Sequence, residues 1–141
     1  MKVDYVCYIN TPANTEESSP VKTTLKLSRG RLTGGFLYFP RGPSGYLHFQ
    51  AFIGTWQILP FNKEHSYRLN GCVAPLYLNI DFFEPPFLID FITWNNSVTY
   101  DHSMSVGIFL DSYASPRKSK NFLNSAVNSI SGYLKGGDRK V

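Results

Sequence analysis

The segment Leu76-Tyr77-Leu78-Asn79-Ile80-Asp81-Phe82 alternates cleanly, which is the signature of a β-strand with Leu76, Leu78, Ile80 and Phe82 turned inward. Glu84-Pro85-Pro86 breaks it, since proline has no N–H to give a ladder. Upstream, Val21 to Leu27 repeats the pattern with Lys22, Thr24 and Lys26 on one face, and Ser28-Arg29-Gly30 turns it. Val3 to Ile9, Leu32 to Phe39, Tyr46 to Ile53, Trp56 to Leu59 and Phe87 to Trp94 are further strands. Gly34-Gly35 predicts a bulge or a close backbone approach, and Pro40 to Gly45 is a turn. Asn62 to Gly71 is polar and reads as a long loop with a short strand at Tyr67 to Leu69.

Asn95-Asn96-Ser97 has the length and residue types of a β-hairpin link into a last strand running from Val98 to Leu110. In that strand Val98, Tyr100, His102, Met104, Val106, Ile108 and Leu110 fall on one face. Seven to nine strands at regular spacing, with no helical period before residue 115, predict an all-β fold. The expectation is a single antiparallel β-sandwich or jelly roll over residues 1–115. An aromatic fraction of 16% suits pleated surfaces, and 141 residues suffice for one core but not two.

The net charge of +4 is unevenly placed. Residues 1–115 carry eight basic and nine acidic side chains, a balance of −1, whereas residues 116–141 carry six against one, a balance of +5. Leu123, Val127, Ile130 and Leu134 in that tail form one stripe of a short amphipathic helix, ended by Gly136-Gly137. Such a helix is marginal alone in water and needs a surface to lie on. Residues 116–141 are therefore expected to be a basic docking arm, with Arg117, Lys118, Lys120, Leu123, Val127, Ile130, Leu134, Arg139 and Lys140 as its partner-binding residues. Phosphate contacts with nucleic acid and an anionic membrane surface are alternative roles for the same basic residues.

No catalytic constellation is legible. His48, His65 and His102 lack the spacing of a metal site, and Asp101 and His102, being consecutive, point to opposite sheet faces. Asp81, Glu84 and Asp90 do not make a carboxylate pair in a predicted cleft. Cys7 and Cys72 read as two buried thiols, with a disulfide as the alternative. The sequence thus predicts a non-enzyme without cofactor or metal. Tyr67, Trp56 and Trp94, in or near loops, open the alternative of a carbohydrate- or receptor-binding module that stacks sugar rings on aromatics. No signal peptide and no run near the ~18 apolar residues of a membrane span are visible, so synthesis and residence in a cytoplasm are expected.

Phe39-Pro40-Arg41-Gly42 with Gly45, Gln57-Ile58-Leu59-Pro60, Pro85-Pro86-Phe87, Trp94-Asn95 and Tyr100-Asp101-His102 give residues 30–110 a characteristic punctuation. In this the chain resembles small β-sandwich structural proteins of tailed-virus virions. The resemblance implies a non-enzymatic protein present in many copies, a capsid decoration or a neck or tail ring. Its partners would be copies of itself and other virion proteins, and its location the virion after synthesis in the host cytoplasm.

Overall fold

The computed structural model describes residues 1–116; residues 117–141 lie outside the described residues. All nine arm residues named above therefore lie outside them as well. Eight strands follow in order: β1 (Lys2–Thr11), β2 (Val21–Lys26), β3 (Gly30–Phe39), β4 (Leu47–Ile53), β5 (Trp56–Leu59), β6 (Cys72–Phe82), β7 (Leu88–Asn95) and β8 (His102–Asp111). They form two four-stranded sheets, ordered β1-β8-β3-β6 and β2-β7-β4-β5, with every pairing antiparallel. Only β4 and β5 are consecutive in both chain and sheet; every other link passes from one sheet to the other. This is the double-sheet strand order of a jelly roll. Among the described residues no helix occurs.

The core lies between the sheets and is built by the alternation visible in the sequence. Leu37 and Phe39 from β3, Leu47, Phe49 and Ala51 from β4, Ile89 and Phe91 from β7, and Val106, Ile108 and Leu110 from β8 are all fully buried. Each large side chain so buried stabilises the fold by about 1.5–3 kcal/mol, and conformational entropy offsets most of the sum. The aromatic members interlock, with Phe49 and Phe91 tilted at 5.5 Å between ring centroids.

Edge strands carry the expected protection. Lys22 and Lys26 project from β2, and Pro75 sits in β6, where an edge tolerates it. The ladder of β3 shifts register between Leu32 and Gly34 against both neighbours, which is the bulge that Gly34-Gly35 predicts.

The structure corrects several local readings. Asn95-Asn96-Ser97 is no hairpin: β7 and β8 lie in different sheets, and β8 begins at His102. Val98 and Tyr100 are exposed in the connection, while the inward face runs from His102 to Leu110 as expected. The reason is Asn95, a buried side chain that the turn signal conceals. Its Nδ2 donates to the Thr11 carbonyl at 3.2 Å and to the Tyr100 carbonyl at 2.8 Å, and its Oδ1 accepts from the Ser97 N–H at 3.0 Å. These bonds lead the chain out of one sheet and across to the other.

The short strand expected at Tyr67 to Leu69 is a single bridge, in which Tyr67 pairs with Phe49. The cysteines are corrected too. Cys72 is exposed, and Cys7 is half-buried. They sit on β1 and β6, opposite edges of one sheet, so three strand spacings of about 4.8 Å separate them. A disulfide needs Cα atoms within about 7 Å, so both thiols are free.

Candidate functional site

The outer face of the β1-β8-β3-β6 sheet is apolar where a solvent-facing sheet is ordinarily polar. Register places its residues in rows across the four strands. Tyr8, Ser105, Tyr38 and Val73 form one row; Val6, Gly107, Phe36 and Pro75 form the next; Asp4, Phe109, Gly34 and Tyr77 form a third. Tyr8 is 81% exposed, Tyr77 88% and Val73 61%, and Val6, Tyr38 and Phe109 are exposed as well. The Phe36 and Phe109 rings pack at 6.3 Å between centroids in the middle of this face. A dimple of about 180 Å³ is lined by Tyr8, Tyr38, Pro40, Ser103 and Ser105 among others.

Apart from Asp4 in the third row, charge on the face lies at one end. There Lys2, Asp111, Arg31 and Asp81 make a row of their own. Arg31 Nε donates to Asp81 Oδ1 at 2.8 Å, and Asp111 Oδ1 lies 3.7 Å from the Met1 amino group. A contiguous, exposed aromatic and aliphatic surface with an ionic border has the composition of a protein interface, where buried tyrosine and phenylalanine supply most of the binding energy.

The opposite sheet offers a contrast. Its outer residues His48 and Gln50 are buried by the 62–67 segment: Ser66 Oγ lies 2.7 Å from His48 Nδ1, and Gln50 Nε2 donates to the His65 carbonyl at 2.9 Å. Trp94 is also buried, stacked on the His48 ring at 4.7 Å between centroids. Asn96 Nδ2 approaches His48 Nε2 at 3.1 Å. A neutral His48 ring can accept at one of these nitrogens and donate at the other, so both contacts can be satisfied together. Burial holds the His48 pKa below the ordinary imidazole range, with the Arg68 guanidinium adding to the depression and Glu17 opposing it.

A second concave feature lies at one end of the sandwich, a groove of about 640 Å³. The end of β4 contributes Ile53, the β4–β5 turn Gly54, β5 Trp56, and the β6–β7 link Phe83, Glu84, Pro85 and Pro86. The Arg29 guanidinium lies 4.8 Å above the Phe83 ring centroid. Asp81 and Asp90 also line the groove, as does Pro116.

The aromatics named for sugar stacking are thereby separated. Trp56 is exposed in the groove, Tyr67 packs against Phe49, and Trp94 is buried. Trp94 stands in β7 with its ring against His48, and is not the loop aromatic its sequence position suggests. Burial raises the Cys7 and Tyr67 pKa values, which keeps both groups protonated. Among the described residues no group of three or more His, Cys, Asp or Glu converges as a metal site requires, and no helix is long and apolar enough to cross a membrane.

The sheet face was missed in the sequence, although β1 carries a signal for it. Val3, Tyr5, Cys7 and Ile9 are apolar in one phase of the alternation, and Val6 and Tyr8 are apolar in the other. A strand apolar in both phases is one that expects cover on both sides. No known protein family matches the sequence, and no curated protein is similar to it.

Proposed function

We propose that the chain is a non-enzymatic structural protein that works by assembly. It packs the outer face of its β1-β8-β3-β6 sheet against copies of itself or other proteins of a virion. The observation that carries this is the row set in which exposed Tyr8, Tyr38, Phe109 and Tyr77 surround the half-buried Phe36 on one sheet face. Left in water, a surface of that kind is a liability; in an interface each well-packed aromatic contributes on the order of 1–2 kcal/mol or more. The virion assignment is supported by the resemblance over residues 30–110 and by the use of jelly rolls in capsid proteins, which is an analogy of fold.

The test is the native mass of the full chain by light scattering on a sizing column, alone and with Tyr8→Lys and Tyr77→Lys combined. A defined oligomer that the double variant reduces to the formula mass supports the reading. A wild-type chain that is monomeric at every concentration, and binds no other protein of its particle, overturns it. The alternative of a carbohydrate- or receptor-binding module now depends on Trp56 alone among the two tryptophans. Specific glycan capture lost in Trp56→Ala would favour it.

A further inference from the structure

We propose that the free edge of β1 is the site at which a second copy of this chain adds its own β1, antiparallel and with Val6 at the two-fold axis. The Met1 carbonyl accepts from the Ser112 N–H at 2.8 Å, and the β1–β8 ladder runs without a register shift from Lys2 to Thr11. Hydrogen-bonded pairs alternate along such a ladder, so Val3, Tyr5, Cys7, Ile9 and Thr11 turn their N–H and C=O groups to β8. The same groups of Lys2, Asp4, Val6, Tyr8 and Asn10 point away from the sheet. Among the described residues no strand, bridge or backbone hydrogen bond meets them.

β1 is the exception among the four edge strands. β2 spans 6 residues with two lysines, β5 spans 4, and β6 carries Pro75, which has no N–H to offer. β1 spans 10 residues with no proline, no bulge and, from Tyr5 onward, no charge. Val3, Tyr5, Val6, Tyr8 and Ile9 are all strong strand formers. A long straight edge of that composition is a template for another strand. The core is also incomplete on this side, since Val3, Tyr5 and Cys7 pack against it only half-buried.

The strand's own sequence selects the occupant. In the register centred on Val6, Lys2 lies opposite Asn10 of the second copy, Asp4 opposite Tyr8, and Val6 opposite Val6. No like charges meet, and the strand is used from Lys2 to Asn10 without overhang. Each such pair exchanges two hydrogen bonds, and antiparallel pairing is the stronger kind. On the inner side Tyr5 meets Cys7 and Val3 meets Ile9. Two-fold pairing is closed, so it stops at two copies, with four strands from each in one continuous sheet. The edge is a different surface from the face and stands or falls apart from it. It buries far less than the roughly 1,200 Å² of a stable interface, so alone it pairs with a Kd of about 0.1 mM, a concentration that packed subunits exceed by proximity.

The experiment uses the full chain carrying Tyr77→Lys, which charges the face and leaves β1 untouched, and reads hydrogen exchange amide by amide at about 1 mM and about 10 µM. At about 1 mM the native mass should approach that of two chains, and the amides of Asp4, Val6, Tyr8 and Asn10 should exchange about fourfold more slowly than at about 10 µM. Those of Val3, Tyr5, Cys7 and Ile9 should be protected at both. In an equal mixture of isotope-labelled and unlabelled chains, Tyr5 Hα should show a filtered contact to Cys7 Hα of the second copy, the close approach of a non-hydrogen-bonded pair. Val6→Pro removes the N–H at the axis and none of the bonds to β8, and should return the chain to its formula mass at about 1 mM. Exchange at Asp4, Val6, Tyr8 and Asn10 that is equally fast at both concentrations overturns the proposal, as does protection at the formula mass or a filtered contact in another register. If Val6→Pro fails to fold, the exchange and the filtered contact decide without it. Face-to-face packing supplies no hydrogen bonds to the β1 edge, so failure here leaves the native-mass test of the face untouched.

Discussion

The ring of Phe36 on β3 lies across Gly107 on β8, in the space that a Cβ at residue 107 would fill. The two are direct partners in the ladder, so the absent side chain of one is what lets the other lie flat on the outer sheet face. Gly107→Ala must lift the ring and break its contact with Phe109. The ring can swing outward, which limits the cost to about 1–3 kcal/mol. Gly35→Ala is expected to be worse, because its Cβ would meet the Gly107 carbonyl and backbone cannot swing aside. Thermal unfolding should rank wild type above Gly107→Ala above Gly35→Ala, and an equal effect of the two would contradict this account.

Charging the face tests a different property from perforating it. Tyr77 stands almost fully in solvent, so Tyr77→Lys removes little packing and should change stability by no more than about 0.5 kcal/mol. Its effect on association should be large, since a lysine buried in an interface there has no partner. Denaturant midpoints that stay put while the native mass falls would separate the two roles. A midpoint that falls in step with the mass would instead make Tyr77 part of the folded monomer's stability.

The legible and illegible parts of the molecule divide along a physical line. Strand positions are local: the alternation in Leu76 to Phe82 and the Gly34-Gly35 bulge announce themselves because side-chain period and glycine placement act within a few residues. Sheet membership is not local. Asn95 reads as a turn residue because Asn-Asn-Ser is what a hairpin uses, yet its amide satisfies Thr11, far away along the chain. The outer face was hidden for a similar reason. Tyr8, Tyr38 and Tyr77 become one surface only after β1, β3 and β6 are brought into a single sheet. Trp94 shows the same limit, since its cover, His48, comes from another strand.

His48 gives the fold a calculable acid sensitivity. Its pKa is held below the ordinary imidazole value in the folded state, by burial first and then by Arg68. The unfolded chain therefore takes up a proton near pH ~6.5, while the folded chain resists until lower pH. Stability from this group is complete above about pH 6.5, falls as the pH drops towards the folded pKa, and levels off below it. His48→Gln, which has no proton to gain, should show a shallower loss of unfolding free energy between about pH 7 and 5. An identical slope in both proteins would remove His48 as the cause.

The cysteines should differ sharply in reactivity. Cys72 is exposed, and a thiol reagent should modify one site per native chain at once. Burial raises the Cys7 pKa, so little thiolate is present and its labelling should wait for unfolding. Oxidation should give chains linked through Cys72 and no intrachain bridge, because the width of the sheet separates the two thiols. An intrachain disulfide found by mass spectrometry in native protein would contradict the strand order β1-β8-β3-β6.

Asn95 should be among the most sensitive positions in the chain. Its side chain is fully buried, and Asn95→Ala leaves the Thr11 and Tyr100 carbonyls and the Ser97 N–H to find new partners. Each orphaned buried group costs about 1–3 kcal/mol, so a loss of about 3 kcal/mol or more is expected even if solvent rescues the Tyr100 end. The neighbouring bond from Thr11 Oγ1 to Thr93 Oγ1, at 2.8 Å, is a simpler case. There, Thr11→Val together with Thr93→Val removes both polar partners and should cost much less than either alone, because no buried hydroxyl is left unpaired. A double-mutant cycle by chemical denaturation reads both claims. If Asn95→Ala unfolds at the wild-type midpoint, the crossing from β7 to β8 is held by something other than this amide.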